Sequence, residues 1–166
     1  MESRNFIIFA QNYTIKSMVA ITFDDQYFMR QALQEAMYAK QEGEVPIGCV
    51  IVCNDKIIAR GHNMTQRLND STSHAEMIAI TSAEEYLASK YLTGCTLYVT
   101  VEPCLMCAGA ILFSHIDKIV YGTKDEKRGF SSYCNPYSKK MKIVSGVLED
   151  ECRELIQDFF KSKRDK

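Results

Sequence analysis

Four residues of this chain have the types and spacing that metal chemistry needs. His74 and Glu76 stand two apart in Ser73-His74-Ala75-Glu76, and Cys104 and Cys107 lie thirty positions later in Glu102-Pro103-Cys104-Leu105-Met106-Cys107. Residues three apart share a helical face, so both sulfurs can reach one ion. Pro103 suits a first helical position, which would put both thiols in an opening turn whose free N–H groups favour thiolate over thiol. Two cysteines do not complete a zinc shell, and the chain has no second close cysteine pair for a four-thiolate structural site. His74 supplies a nitrogen, and three protein ligands leave the fourth place to water, as in catalytic sites. Glu76 is too close to His74 for both to bind one ion from a single helix. It is placed instead to take a proton from the activated water and pass it to a leaving group.

Each half of the pattern has a plainer explanation. Ser73 and Glu76 have the spacing of a capping box. A Cys-x-x-Cys alone can be a redox pair or two core thiols, although in a thioredoxin-like motif a strand runs directly into the first thiol and here Pro103 intervenes. His-x-Glu together with Pro-Cys-x-x-Cys decides for the metal: His74, Cys104 and Cys107 as ligands and Glu76 as the catalytic proton carrier.

The surrounding periodicity says which elements hold these residues. A helix is expected from about Phe23 to Gln41, with Thr22 and Asp25 in capping-box spacing, Phe28, Ala32, Ala36 and Ala39 on one face, and Gly43 and Pro46 closing it. Ile47–Cys53 and Lys56–Arg60 read as strands joined by the turn pair Asn54-Asp55, a hairpin. A polar loop, Gly61–Ser73, leads into a helix from His74 to Leu87. Thr96–Val101 is the clearest central strand, followed by a helix from Pro103 to Ser114, a strand at Lys118–Tyr121 and a polar loop from Gly122 to Lys140. A short strand, Met141–Val144, and a helix, Glu149–Phe160, complete the chain. This order predicts a three-layer α/β/α sandwich with one mixed five-stranded sheet. Helix starts after strand ends then face one rim of the sheet, where such proteins place their chemistry.

With 166 residues, 46% of them hydrophobic, the chain has the size for one core. The seven cysteines are odd in number and mostly set in apolar runs, which points to reduced thiols and a cytoplasmic setting rather than a disulfide scaffold. The run Phe6–Ala10 is too short for a secretory signal core, and no apolar stretch is long enough to cross a bilayer. Residues 1–17 are expected to be either a disordered extension or the product of a misplaced start codon, with Met18 opening the domain at 18–166. Net charge is −1, but residues 1–117 hold 8 Lys/Arg against 13 Asp/Glu, while residues 118–166 hold 12 against 8. Positive charge therefore gathers in the last third.

From about Phe23 to Lys163 the chain resembles the bacterial tRNA-specific adenosine deaminases, of the cytidine and deoxycytidylate deaminase superfamily. The segments that carry the resemblance are Glu44-Val45-Pro46-Ile47-Gly48, Ser73-His74-Ala75-Glu76, Leu97-Tyr98-Val99-Thr100, Glu102 to Ala110, and Ser145-Gly146-Val147-Leu148. The resemblance implies a cytidine deaminase-like fold and a homodimer that hydrolyses the wobble adenosine of an arginine tRNA to inosine, releasing ammonia. It implies zinc on His74, Cys104 and Cys107, and proton transfer by Glu76. A substrate-contacting asparagine falls on Asn63, the pocket wall on Val45 and Pro46, and a backbone N–H facing the base edge on Ala75. The chain departs from the family at Ser73, where alanine is usual, and through Gly129–Tyr137.

An anticodon loop is the partner this reading implies, with no membrane. Lys124, Lys127, Arg128, Lys139 and Lys140 border the long loop, and Lys161, Lys163 and Arg164 lie near the end of the chain. Phe130, Tyr133 and Tyr137 among them could stack on splayed bases; the plainer reading is a solvated loop and a charged terminus. A deaminase of a free base or nucleoside, such as guanine or cytosine, would share the whole metal site, and a zinc-stabilised binding protein without turnover would share its ligands.

Overall fold

The computed structural model describes residues 23–133, 136, 137 and 141–164. Thr22, residues 1–17, Cys134, Lys139 and Lys140 lie outside them. The elements run α1 (Asp25–Gln41), β1 (Gly48–Cys53), β2 (Lys56–His62), α2 (Ala75–Leu87), β3 (Cys95–Val101), α3 (Leu105–Phe113), β4 (Lys118–Thr123), a 3-10 turn (Phe130–Ser132), β5 (Lys142–Ser145) and α4 (Glu149–Arg164). The sheet order is β2-β1-β3-β4-β5. β1 is antiparallel to both β2 and β3, and β3, β4 and β5 are parallel. The mixed five-stranded sandwich expected from the sequence is the one observed.

Alternation along the strands divides the core. Cys49, Ile51, Leu97, Val99 and Ile119 face one way and pack against Ala75, Ala79 and Ile80 of α2 and Ala108 and Ile111 of α3. Val50, Val52, Tyr98 and Val120 face the other way, against Phe28, Met29 and Ala32 of α1 and Cys152 of α4. Two glycines let helix backbones approach the sheet closely. A Cβ on Gly48 would lie 2.1 Å from the Ala32 carbonyl oxygen, and one on Gly61 would lie 2.5 Å from that of Ala75. The second seats α2, and hence His74, directly on β2.

Local chemistry sets the ends of these elements. Asn54 and Asp55 both take left-handed φ, 49° and 57°, giving the two-residue turn that matches strand twist. Gly43, at φ 79°, ends α1, and the Glu44 N–H reaches back to the Ala39 carbonyl at 2.9 Å. The N-cap of α1 is Asp24, which accepts the Tyr27 N–H at 2.8 Å; the expected cap, Thr22, lies outside the described residues. Two more starts shift. His74 and Cys104 are N-cap residues rather than helical ones, and Pro103 lies two residues ahead of α3. Ser73 is no cap either, because its hydroxyl donates to Asp70 Oδ2 at 2.7 Å. β2 runs two residues further than predicted, to His62. That extension carries the chain to the rim where α2 begins.

Candidate metal centre and active site

α2 starts at one rim of the sheet, and α3 starts at the same rim after β3. Their N-cap residues, His74 and Cys104, face each other, with Cys107 in the first turn of α3. His74 Nδ1 lies 3.6 Å from Cys104 Sγ and 3.5 Å from Cys107 Sγ. An ion held tetrahedrally at ordinary zinc bond lengths would set nitrogen and sulfur about 3.6 Å apart. The three side chains therefore fit zinc as they stand. Among the described residues they are the His/Cys/Asp/Glu group placed to hold a metal, with ligand atoms within 4.8 Å of one another.

Protonation of the three ligand side chains follows from this geometry. The Cys104 thiol is pulled down to about 4, first by the hydrogen bond from Cys107 and then by His74. Cys107 moves the other way, because it donates to Cys104 and is buried. His74 is raised, chiefly by its bond to Cys104, while the nearby Arg128 guanidinium opposes its protonation. The geometry thus favours the Cys104 thiolate and makes Cys107 and His74 hold their protons more tightly, and a metal must displace the protons left on its ligands.

Glu76, in the first turn of α2, is buried at 3% exposure. Burial raises its carboxyl to about 7, with the Cys104 thiolate adding to the rise. Its side chain reaches the Cys107 thiol, so it sits beside the ligand set without adding a fourth protein ligand from the same turn as His74. A carboxyl near 7 can both take and give a proton at neutral pH.

The other expected site residues converge on the same rim. The Asn63 N–H donates to the Ile47 carbonyl at 3.0 Å, joining it to the Val45-Pro46-Ile47 segment, and the Met64 N–H donates to the Ser73 carbonyl at 3.0 Å, next to His74. Pro46 is buried and Val45 half-buried. Ala75 is the first residue of α2, so its N–H has no partner within the helix.

Two carboxylates that hold this arrangement are not evident in the sequence as site residues. Glu44, at 1% exposure, accepts from Asn63 Nδ2 at 3.0 Å and from the N–H groups of Gln66 and Arg67 at 2.9 and 2.8 Å. It fixes the Asn63 amide. Glu102, also buried, accepts from the Ser131 N–H at 2.9 Å and the Asp125 N–H at 3.3 Å. A Cβ on Gly129 would fall 2.4 Å from Glu102 Oε2, and the Phe130 N–H donates to the Pro103 carbonyl at 3.0 Å. The 124–133 loop is therefore fastened to the residues just before Cys104. Each carboxylate directly precedes a short apolar segment, Val45-Pro46 or Pro103-Cys104, where an acid has no packing purpose; that was the available signal.

The basic and aromatic expectations divide. Lys124, Lys127 and Arg128 are exposed on this loop, Arg128 close to His74. Tyr133 is 62% exposed and free to stack. Phe130 is not a stacking platform. It is 3% exposed and packs edge-on against Tyr121 and Tyr137, and Tyr137 is itself buried. Lys161, Lys163 and Arg164 are exposed on α4, in the layer opposite α2 and α3. They lie roughly 14 to 18 Å along the helix axis from Cys152, and the Lys163 ammonium rests over the Phe159 ring at 5.3 Å. The structure does not bring them together with the metal ligands.

Comparison with known proteins places this site in a family. Residues 22–123 match the zinc-binding region of cytidine and deoxycytidylate deaminases. The chain is 43% identical over 148 residues to a tRNA-specific adenosine deaminase of Bacillus subtilis (strain 168), covering 86% of this chain and 92% of the relative. The chain belongs to the tRNA-specific adenosine deaminase family. A second member, from Aquifex aeolicus (strain VF5), is 43% identical over 145 residues, covering 84% of this chain and 95% of its own length. A solved structure from a study of A-to-I editing by tRNA:A34 deaminases at the wobble position is also 43% identical, with a TM-score of 0.72, covering 78% of this chain and 98% of that one. The family is zinc-dependent, and the His74, Cys104 and Cys107 cluster is where this member can carry the metal.

Proposed function

We propose that this protein hydrolyses the wobble adenosine of a tRNA, in an arginine-accepting tRNA, to inosine and ammonia. The observation that carries the reading is the convergence of one imidazole and two sulfurs at distances that suit zinc, with a buried carboxyl raised to about 7 beside them. The relatives named above, matched over most of their length, supply the substrate class.

His74, Cys104 and Cys107 would hold the zinc, which supplies the Lewis acid that makes a water molecule nucleophilic at neutral pH. Glu76 accepts a proton from that water and delivers it to N1 of the adenine as the oxygen adds at C6. It then carries the second proton to the departing amine, so that one water is consumed and one ammonia released. The Asn63 side chain, held by Glu44, orients the base. The Ala75 N–H, at a helix N-terminus, faces the base edge, and Val45 and Pro46 wall the pocket. An anticodon-loop nucleotide is already unpaired, so bringing it to a recessed site costs less than extracting one from a duplex. Lys124, Lys127 and Arg128 flank the entrance with positive charge.

A homodimer accords with α3, whose nine residues are all apolar or glycine although Leu105 and Phe113 are 46% and 79% exposed. A monomer on sedimentation of the zinc-loaded chain would remove that part of the reading. No helix among the described residues is long and apolar enough to cross a membrane, and a tRNA substrate accords with a cytoplasmic setting.

The test is incubation of the zinc-loaded protein with total tRNA and, separately, with adenosine, guanine and cytosine, reading products by mass. Inosine confined to an anticodon is expected, and Glu76→Gln should keep its zinc while losing deamination by at least about 100-fold. Turnover of a free base with none on tRNA would replace this reading with a small-substrate deaminase. Near-normal activity in the variant would exclude Glu76 as the proton carrier.

A further inference from the structure

At the end of the sheet occupied by the β1–β2 turn, two cysteines face each other across neighbouring strands. Cys53 closes β1 and pairs in register with Cys95, the first residue of β3. Both side chains lie on the α2–α3 face, Cys95 fully buried and Cys53 partly exposed at its edge. Both are free thiols.

The backbone hydrogen bonds say what kind of pair this is. Cys53 pairs with Lys56 across a two-residue turn, so its N–H and C=O point toward β2. The Cys95 N–H donates to the Leu92 carbonyl at 3.1 Å, and its carbonyl accepts from the Asp117 N–H at 3.2 Å. Neither residue spends its backbone groups on the other, so the two form a non-hydrogen-bonded antiparallel pair. Such pairs bring Cα atoms to about 4.5 Å and side chains closest together. That spacing falls inside the range a disulfide spans.

We propose that Cys53 and Cys95 form a reversible cross-strand disulfide, a redox staple of the sheet at the opposite end of β3 from the metal ligands. The reaction is exchange with a small disulfide such as oxidised glutathione. Cys53, the more accessible thiol, attacks one glutathione sulfur, giving a Cys53–glutathione mixed disulfide and one reduced glutathione. The Cys95 sulfur then attacks Cys53 Sγ, forming the Cys53–Cys95 bond and expelling the second glutathione, whose sulfur takes up the proton Cys95 gives up. Two thiols are oxidised and one glutathione disulfide is reduced. Burial, with Cys53 beside it, pushes the Cys95 thiol up to about 12, which leaves Cys53 as the first to react. Once Cys53 is capped, the proximity set by the strand register drives closure. The closed bond links strands 42 positions apart in the chain, so it restricts the unfolded state far more than it perturbs the folded one.

The experiment is incubation of the zinc-loaded protein in glutathione buffers of increasing oxidised fraction, followed by acid quench and peptide mapping without reduction. A Cys53–Cys95 linked peptide pair, reversed by dithiothreitol, is expected, together with a Tm raised by several degrees in the oxidised protein. Cys53→Ser should lose both the linked pair and the Tm shift, and Cys53→Ala repeats the result with a smaller side chain. A persistent glutathione adduct on Cys53 with no linked pair would overturn the proposal, as would linkage of Cys53 to any other cysteine. Because the readout is a peptide and a melting temperature, the result stands whatever substrate the enzyme takes.

Discussion

Glu76 shows how a side chain can be made functional by its surroundings at a cost in stability. Its carboxyl is buried at the start of α2, and burial raises it to about 7 in the metal-free protein. Between pH 4.5 and about 7 the folded state holds a proton that the unfolded chain has already released. The carboxyl therefore contributes a loss of stability as pH rises through that window, of up to about 3 kcal/mol. Denaturant melts of metal-free wild type and Glu76→Gln across pH 4 to 8 measure this directly. The difference between the two should grow with pH in favour of the variant. A flat difference would mean that Glu76 is not carrying a desolvated charge. The neighbouring Cys104 contributes in the opposite sense, since its lowered pKa makes folding more favourable as pH rises; comparing variant with wild type isolates the carboxyl. At this scale the sequence was most legible. Residue type and spacing singled out His74, Cys104 and Cys107, which the fold brings within reach of one ion, and Glu76, which it buries beside them. Glu44 and Glu102 were not legible as site residues, because their partners, backbone N–H groups and for Glu44 also the Asn63 amide, come near only after folding.

Among the elements, close approach between α2 and β2 places His74. Gly61 makes this possible, since any larger residue there would meet the Ala75 carbonyl and the Ala79 backbone at 2.5 and 2.8 Å. Gly61→Ala should destabilise by about 1 to 3 kcal/mol and should also weaken zinc retention, because the pushed helix carries His74. Equilibrium unfolding with zinc measured on the same samples checks both. Wild-type stability and metal content would show that α2 is seated by something else. The order and type of elements follow from hydrophobic period, and the Asn54-Asp55 turn and the Gly43 stop follow from φ preferences that only certain residues tolerate. The starts of α1, α2 and α3 lie one or two residues later than the sequence suggests, while α4 begins at Glu149 as expected. Ser73 and Pro103 are typical of helix openings, but Asp70 engages the Ser73 hydroxyl, and His74 and Cys104 take the cap positions themselves. That shift has a chemical consequence: both ligands stand where the backbone is still extended, free to turn toward one another.

For the molecule as a whole, the distribution of positive charge matters more than its sum. Lys124, Lys127 and Arg128 ride on a loop tied by Glu102 to the metal helix, whereas Lys161, Lys163 and Arg164 sit on a helix in the opposite layer. Each of the loop cations that meets a phosphate should contribute about one to the salt dependence of tRNA binding. Lys127→Ala with Arg128→Ala should therefore weaken binding and reduce the slope of log affinity against log salt by about two, while Lys161→Ala with Lys163→Ala should leave it nearly unchanged. Titrations at several salt concentrations separate the two pairs; equal effects would show that RNA crosses both layers. Composition revealed that the last third is basic, but a linear count cannot tell which cations share a surface. The same limit applies to Phe130, whose place among charged residues suggested stacking until folding put it in the core against Tyr121 and Tyr137.

The account rests on one ion held by a nitrogen and two sulfurs with one place left open. X-ray absorption at the zinc edge of the loaded protein reads this most directly. Two sulfurs at about 2.3 Å and two nitrogen or oxygen atoms at about 2.0 to 2.1 Å are expected, with one of the light atoms exchanging for an added small anion. A shell of four sulfurs, or one that no added ligand can enter, would contradict it.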